Sequence, residues 1–224
     1  MAQVLIVGSG GLGRETLAAL RESPERFEPI GFLDDDPGRR GILVDGLPVV
    51  GTVDEVTEYP EAQVILATAS PSSYGSRRRI ARRLDLPAWR YTTVVHPRAS
   101  GPPGVAISQG AVILAGCVAT APSIEIGAHS VLMPGVILTH DCTVGAFATL
   151  GAGVLLAGGT NIGEGAYLGS GSMIREGVSI GPWALIGMGS VVLHDIPPGE
   201  VWAGNPARYL RDSDEEYATT EGQL

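Results

Sequence analysis

"IGAHSVLMPGVILTHDCTVGAFATLGAGVLLAGG", residues 126 to 159, carries an aliphatic residue at every sixth position. The frame starts at Ile126 and passes through Leu132, Leu138, Val144, Leu150 and Leu156. It continues beyond the quoted stretch through Ile162, Leu168, Ile174, Ile180, Ile186 and Val192 without an insertion. Six residues rotate a helical position by about 600°, equivalent to about 240°, so an α-helix would scatter these side chains over three faces. Short strands joined by tight turns keep them on one inner surface. Glycine follows the aliphatic residue at 127, 145, 163 and 181, and again at 151, 169 and 187, a spacing of 18 residues. The pattern predicts a triangular coil of three hexads, its aliphatic side chains aimed at the axis and small residues at the turns. Upstream, Ile107 and Ile113 join the frame with about one extra residue before Ile126, which makes roughly five coils. Such a prism fills its axis but leaves flat outer faces and open ends, so caps and partner copies are expected, a trimer being favoured.

The chain has 224 residues, 44% hydrophobic and 17% charged, enough for a sizeable core. It opens on MAQVLIVGSG, without a basic leader region or cleavage site, and nowhere holds 18 uninterrupted apolar residues. The expectation is a soluble, cytoplasmic protein with no membrane partner. A net charge of −9 argues against general nucleic-acid binding, which needs a basic face. Cys117 and Cys142 form neither a disulfide framework nor a CxxC pair, and read as buried small hydrophobes. Most of the arginines lie before residue 96, whereas glycine and branched aliphatics dominate from 97 to 210. Two domains are therefore expected, 1–96 and 97–210, followed by an acidic tail, 211–224, with no periodic apolar pattern and the composition of a disordered segment.

In the first half, "QVLIV" runs into Gly8-Ser9-Gly10-Gly11-Leu12-Gly13 and then "RETLAALRE", a strand, a glycine turn and a helix whose free N-terminal amides suit a phosphate. A second strand ends at Asp34-Asp35-Asp36, where a Rossmann domain would place a ribose on Asp34. Strands are expected only near 3–7, 29–34, 63–68 and 91–95. That is half a dinucleotide fold, so NAD fits less well than a nucleotide-linked sugar. The run "RRRIARRL", residues 77 to 84, reads as a solvated helix face.

The hexad series, the ending "GSVVLHDIPPGEVWAGNPAR" and the domain opening "VLIVGSGGLGRE" together resemble the left-handed β-helix acyltransferases of the sialic acid O-acetyltransferase and nucleotide-amino-sugar N-acetyltransferase group. The resemblance covers about 205 residues. It implies an α/β half-Rossmann domain followed by a left-handed parallel β-helix, acetyl-CoA as acyl donor, no metal, and a homotrimer with active sites between protomers. It implies His140 as general base and Gly158, one coil on, as donor of an amide to the acyl carbonyl. An imidazole titrating near neutrality suits the proton transfer, and a fixed N–H suits the charge that develops on oxygen. Asp141 occupies the place of an acidic residue in relatives. Alternation along a strand would turn it away from the imidazole, unless the corner changes that. Ser170 and Met188 match the family's backbone contacts to the pantetheine arm, and Arg208 is placed to reach a CoA phosphate; tight turns and solvent exposure explain the same residues without a ligand. The nucleotide sugar falls to Gly8, Gly10, Gly11, Asp34 and Asp35, with Ser70 and Ser72 as further candidates. A second histidine of many relatives is replaced by Thr149, which bears on acceptor identity rather than on acyl transfer.

Three functions compete: acetylation of the amine of a nucleotide-linked amino sugar, with sugar O-acetylation as a close alternative; a zinc lyase; and a non-catalytic binding module. The lyase needs three histidines set closely around a metal, and His96, His129, His140 and His194 lack that spacing. His96, His129 and His194 read as incidental.

Overall fold

The computed structural model describes residues 1–213. β1 (Ala2–Val7), β2 (Phe27–Leu33), β3 (Leu43–Val44), β4 (Leu47–Gly51) and β5 (Gln63–Leu66) form one sheet in the order β3-β4-β2-β1-β5. It is parallel except for the β3–β4 hairpin, whose Asp45-Gly46 turn has φ of 47° and 80°. β3 has only two residues and β4 is interrupted by Pro48, so neither shows as an apolar run and they were not anticipated. Helix α1 (Gly11–Arg21) packs Leu17 and Leu20 under one sheet face with Val4, Ile6 and Phe32. Helix α2 (Ser76–Leu84) covers the other face, where Leu5, Val7, Val64 and Leu66 are buried. The strand expected near 91–95 divides. Tyr91 bridges to Val64 of the first sheet, while β6 (Val94–Val95) pairs with 112–113 of the β-helix.

The remainder is a left-handed β-helix of five coils, each made of three two-residue strands. Rungs stack in register 18 residues apart, Val131 on Thr149 and Leu132 on Leu150. The inner row from Ile126 to Val192 is at most 3% exposed. Burying each such aliphatic side chain contributes roughly 1.5–3 kcal/mol.

The three outer faces differ. The docked face (strands at 112–113, 131–132, 149–150, 167–168 and 185–186) lies under the first domain, with Val112 and Val131 in its core. The polar face (106–107, 125–126, 143–144, 161–162, 179–180) presents Glu125, Thr143, Asn161 and Ser179. The apolar face (118–119, 137–138, 155–156, 173–174, 191–192) exposes Ile137, Leu155 and Met173, the last at 52%. The extra residue lies between strands 118–119 and 125–126: Val118 pairs 19 residues ahead with Ile137, whereas Glu125 pairs 18 ahead with Thr143.

At the far end, strand 200–204 adds to the docked face and strand 207–212 folds back on it. Arg211 and Asp212, expected to belong to a disordered tail, extend that last strand because the hairpin pairs Val201 with Arg211 and Glu200 with Asp212. The rest of the tail expectation, residues 214–224, lies outside the described residues. Among the described residues, no helix is long and apolar enough to cross a membrane.

Candidate active site

His140 and Asp141 stand at the corner joining the apolar and polar faces, the one corner that does not border the docked face. Asp141 has φ of 60°, a left-handed conformation that aspartate tolerates better than most residues. Strand alternation does not apply there, and the turn brings its carboxylate to the neighbouring ring: His140 Nδ1 and Asp141 Oδ2 are 2.9 Å apart. An ionised carboxylate only accepts, so the proton resides on Nδ1 and the lone pair of Nε2 is left free. The bond to His140, followed by one to Ser123, holds the Asp141 carboxyl below the usual range. The His140 side chain is 69% exposed.

Gly158 lies one coil further on, directly against the imidazole. A Cβ built on it would come within 2.3 Å of His140 Cε1 and 2.4 Å of Nε2. Only a residue without a side chain fits, so the ring and the glycine specify one another. The next residue, Gly159, donates its N–H to the His140 carbonyl at 2.9 Å, while the N–H of Gly158 has no acceptor among the described residues. A free imidazole nitrogen and a free amide thus sit side by side on an accessible corner. One can accept a proton and the other can stabilise an oxyanion.

Ser170 and Met188 are not at this corner. They stack at the far edge of the apolar face, where Gly189 donates to the Ser170 carbonyl at 2.9 Å and Met188 is 79% exposed. Arg208 lies on the last strand, its Nη1 donating to the carbonyl of Ala207 at 2.8 Å. A single chain therefore does not gather Ser170, Met188 and Arg208 around His140.

In the first domain the glycine turn is packed tightly. A Cβ at Gly8 (φ 98°) would meet Thr68 Cγ2 at 2.7 Å, and one at Gly13 would meet the Gly8 carbonyl, whereas Gly10 and Gly11 face open space. A cavity of about 380 Å³ lies over the turn, walled by Arg14, Arg39, Leu43 and Val44. Asp34 and Asp35 do not line this cavity and are already engaged. Asp34 accepts from the Ser9 amide at 2.9 Å, from the Ser9 hydroxyl and from the Asp36 amide at 3.0 Å. Partial burial works against its charge, yet these bonds and Arg39 hold its carboxyl below the ordinary value. Asp35 accepts from the Val53 amide at 3.0 Å and from Arg83 at 2.8 Å. Asp34 thus shapes the turn and Asp35 ties the end of β2 to Val53 and Arg83. The cavity's arginines are engaged as well, Arg14 with the Asp45 carboxylate at 2.8 and 3.0 Å and Arg39 with the carbonyl and hydroxyl of Ser9 at 2.9 and 2.8 Å, so the groups open to a ligand are the amides of Gly10 and Gly11. The two arginines carry no sequence signal beyond their charge. Ser70 and Ser72 bond one another, hydroxyl to hydroxyl, at 2.8 Å.

The basic run is not a solvated face throughout. Arg77 is fully buried and donates to the carbonyls of Thr68, His129, Phe147 and Ala148 at 2.6–3.2 Å and to Thr149 Oγ1 at 2.7 Å. Burial without a carboxylate lowers its pKa to about 10. Thr149 is 2% exposed, so its hydroxyl is spent on this cation and does not line an open acceptor site within the chain. His129 belongs to the same seam, stacked on Phe147 with ring centroids 5.0 Å apart and met edge-on by Tyr91 at 4.6 Å. Burial, then the Arg77 charge, lowers its pKa to about 4.

Two family patterns match: the PglD N-terminal domain over residues 3–84, and the bacterial transferase hexapeptide (six repeats) over 159–194. Among solved structures, the acetyltransferase domain of PglB from Neisseria gonorrhoeae FA1090, in complex with acetyl coenzyme A, is 30% identical with a TM-score of 0.82, over 93% of this chain and 98% of that one. The chain belongs to the hexapeptide-repeat sugar acyltransferases. PerB from Caulobacter crescentus, in complex with CoA and GDP-perosamine, is 29% identical over 94% of this acyltransferase and 98% of its own chain, with a TM-score of 0.81. The perosamine N-acetyltransferase of that organism is known also as variants in which one histidine is replaced by asparagine or alanine. WeeI from Acinetobacter baumannii AYE is 25% identical over 94% of this chain and all of its own, with a TM-score of 0.79. Among curated proteins none matches the sequence.

Proposed function

We propose that this acyltransferase moves an acetyl group from acetyl-CoA to the amine of a nucleotide-linked amino sugar, with His140 as base. The observation that carries the proposal is the His140 imidazole lying against Gly158 with its Nδ1 tied to Asp141, in a chain similar over 94% of its length to PerB, crystallised with CoA and GDP-perosamine. The amine nitrogen attacks the thioester carbonyl carbon and forms the C–N bond. His140 Nε2 takes the proton that the amine releases, and Asp141 stabilises the imidazolium through Nδ1. The charge on the carbonyl oxygen is met by the Gly158 N–H. The tetrahedral intermediate then breaks its C–S bond, and the imidazolium returns a proton to the departing CoA thiolate. No residue is changed at the end of the cycle.

The site is completed by a second copy of the chain. The first domain covers the docked face, and His140 stands at the corner opposite that face, so a sugar held over the glycine turn of one copy is presented to the His140 of another. The apolar face with Ile137, Leu155 and Met173 supplies the surface for association. In the sugar pocket the Gly10 and Gly11 amides bind the pyrophosphate, and Arg14 and Arg39 turn to it from their partners Asp45 and Ser9. The CoA arm passes Ser170 and Met188 in the groove between copies, and Arg208 meets its phosphates.

Thiol release from acetyl-CoA, measured across GDP-, UDP- and dTDP-linked amino sugars, their hydroxyl analogues and free sialic acid, tests the reading. Turnover with an amine and at least a hundredfold less with its hydroxyl analogue is the expected result. Preference for hydroxyl acceptors would establish O-acetylation instead, and no turnover above the His140→Ala chain would end both.

A further inference from the structure

We propose that Ser123 is a positioning residue for the His140–Asp141 pair, put in place by the single break in the hexad frame. The proposal rests on the catalytic reading of His140. The extra residue of the first coil falls in the corner 120–124, one coil before the corner 139–142 that carries the pair. Elsewhere the left-handed corner residue of each coil donates its N–H to a backbone carbonyl of the coil before it. Gly135 donates to Ala115, Phe147 to Ala128, Gly159 to His140, Gly177 to Gly158 and Trp183 to Glu164, at 2.8–3.0 Å. Asp141 departs from this rule: its N–H donates to the Ser123 hydroxyl oxygen at 3.2 Å.

The exchange of a carbonyl for a hydroxyl changes what the corner can do. A carbonyl only accepts, whereas a hydroxyl that accepts the amide can also donate its own proton. In the proposal that proton turns to the Asp141 carboxylate, which Ser123 helps hold below the usual carboxylate range and which also meets His140 Nδ1. One hydroxyl therefore ties the backbone and the carboxylate of Asp141 together. A carboxylate free to rotate would let the exposed imidazole leave its place against Gly158. The inserted residue thus makes the wider corner that delivers Ser123 to the pair.

The test compares Ser123→Ala and Ser123→Thr in the full chain, with and without Asp141→Asn. Carbon-13 NMR of the Asp141 carboxyl requires no substrate: its titration midpoint is expected to move up in Ser123→Ala and to return toward native in Ser123→Thr. In turnover, Ser123→Ala is expected to lower kcat three- to tenfold with KM for acetyl-CoA unchanged within twofold. It is expected to add nothing further in the Asp141→Asn chain, and threonine is expected to restore the rate. An unmoved Asp141 titration, an unchanged kcat, or losses that multiply with Asp141→Asn would overturn the proposal. Should His140→Ala retain native turnover while the Asp141 titration still responds to Ser123, the catalytic reading falls and the tie between Ser123 and the carboxylate stands.

Discussion

Four residues of the β-helix take a left-handed backbone without being glycine: His129, Asp141, Phe147 and Trp183. Each costs on the order of 1 kcal/mol relative to glycine, and each does something glycine cannot. Three build the seam under the first domain, and the fourth holds the His140 ring. Replacing Asp141 by glycine should therefore stabilise the fold by about 0.5–1 kcal/mol while lowering kcat at least tenfold, a trade-off that urea unfolding and steady-state kinetics on the same preparation would reveal. Gly158→Ala should behave differently. Its Cβ would occupy the space of the His140 ring, so a loss of kcat of about a hundredfold or more is expected with little change in circular dichroism. Adding 18 to 140 in the sequence finds Gly158, because stacking follows the repeat alone. The contact between His140 and Asp141 is not legible in that way, since it depends on a corner dihedral that the hexad count does not specify.

At the scale of elements, the repeat is the most readable part of the chain and the docking of the first domain the least. The inner row follows from periodicity because each rung repeats the one before. Arg77 hides in a run of five arginines, and only its carbonyl partners, supplied by residues 9 to 71 positions away, single it out. Arg77→Met leaves those carbonyls buried without a donor and should cost about 3 kcal/mol, visible as an earlier chemical unfolding transition. The seam also titrates. His129 has a pKa of about 4 in the folded chain, against about 6.5 when unfolded. Between these values the unfolded chain binds the proton more readily, so stability is complete above about pH 6.5 and declines as the pH falls toward 4. Urea unfolding should show a loss on the order of 2 kcal/mol between pH 7.5 and pH 5. His129→Phe should flatten that dependence, and an equally steep loss in the variant would place the responsible group elsewhere.

For the whole molecule, the faces of the prism divide the work: one is covered by the first domain, one is polar, and one exposes Ile137, Leu155 and Met173. Met173→Glu should shift the assembly toward single chains in light scattering and lower activity with it. Co-expression provides a second check on shared sites. His140→Ala and Gly11→Asp chains, each inactive alone, should regain about a quarter of native activity when randomly mixed, because one chain supplies the base and its neighbour the pyrophosphate pocket. The sequence predicts an assembly from its open faces, but which face is free emerges only once the first domain is seen on another. The most direct measurement is the initial rate of thiol release from acetyl-CoA with the best nucleotide-sugar acceptor, for the native chain and for His140→Ala at equal assembly state. A fall of about a thousandfold or more is predicted; a His140→Ala rate within tenfold of native would contradict the account.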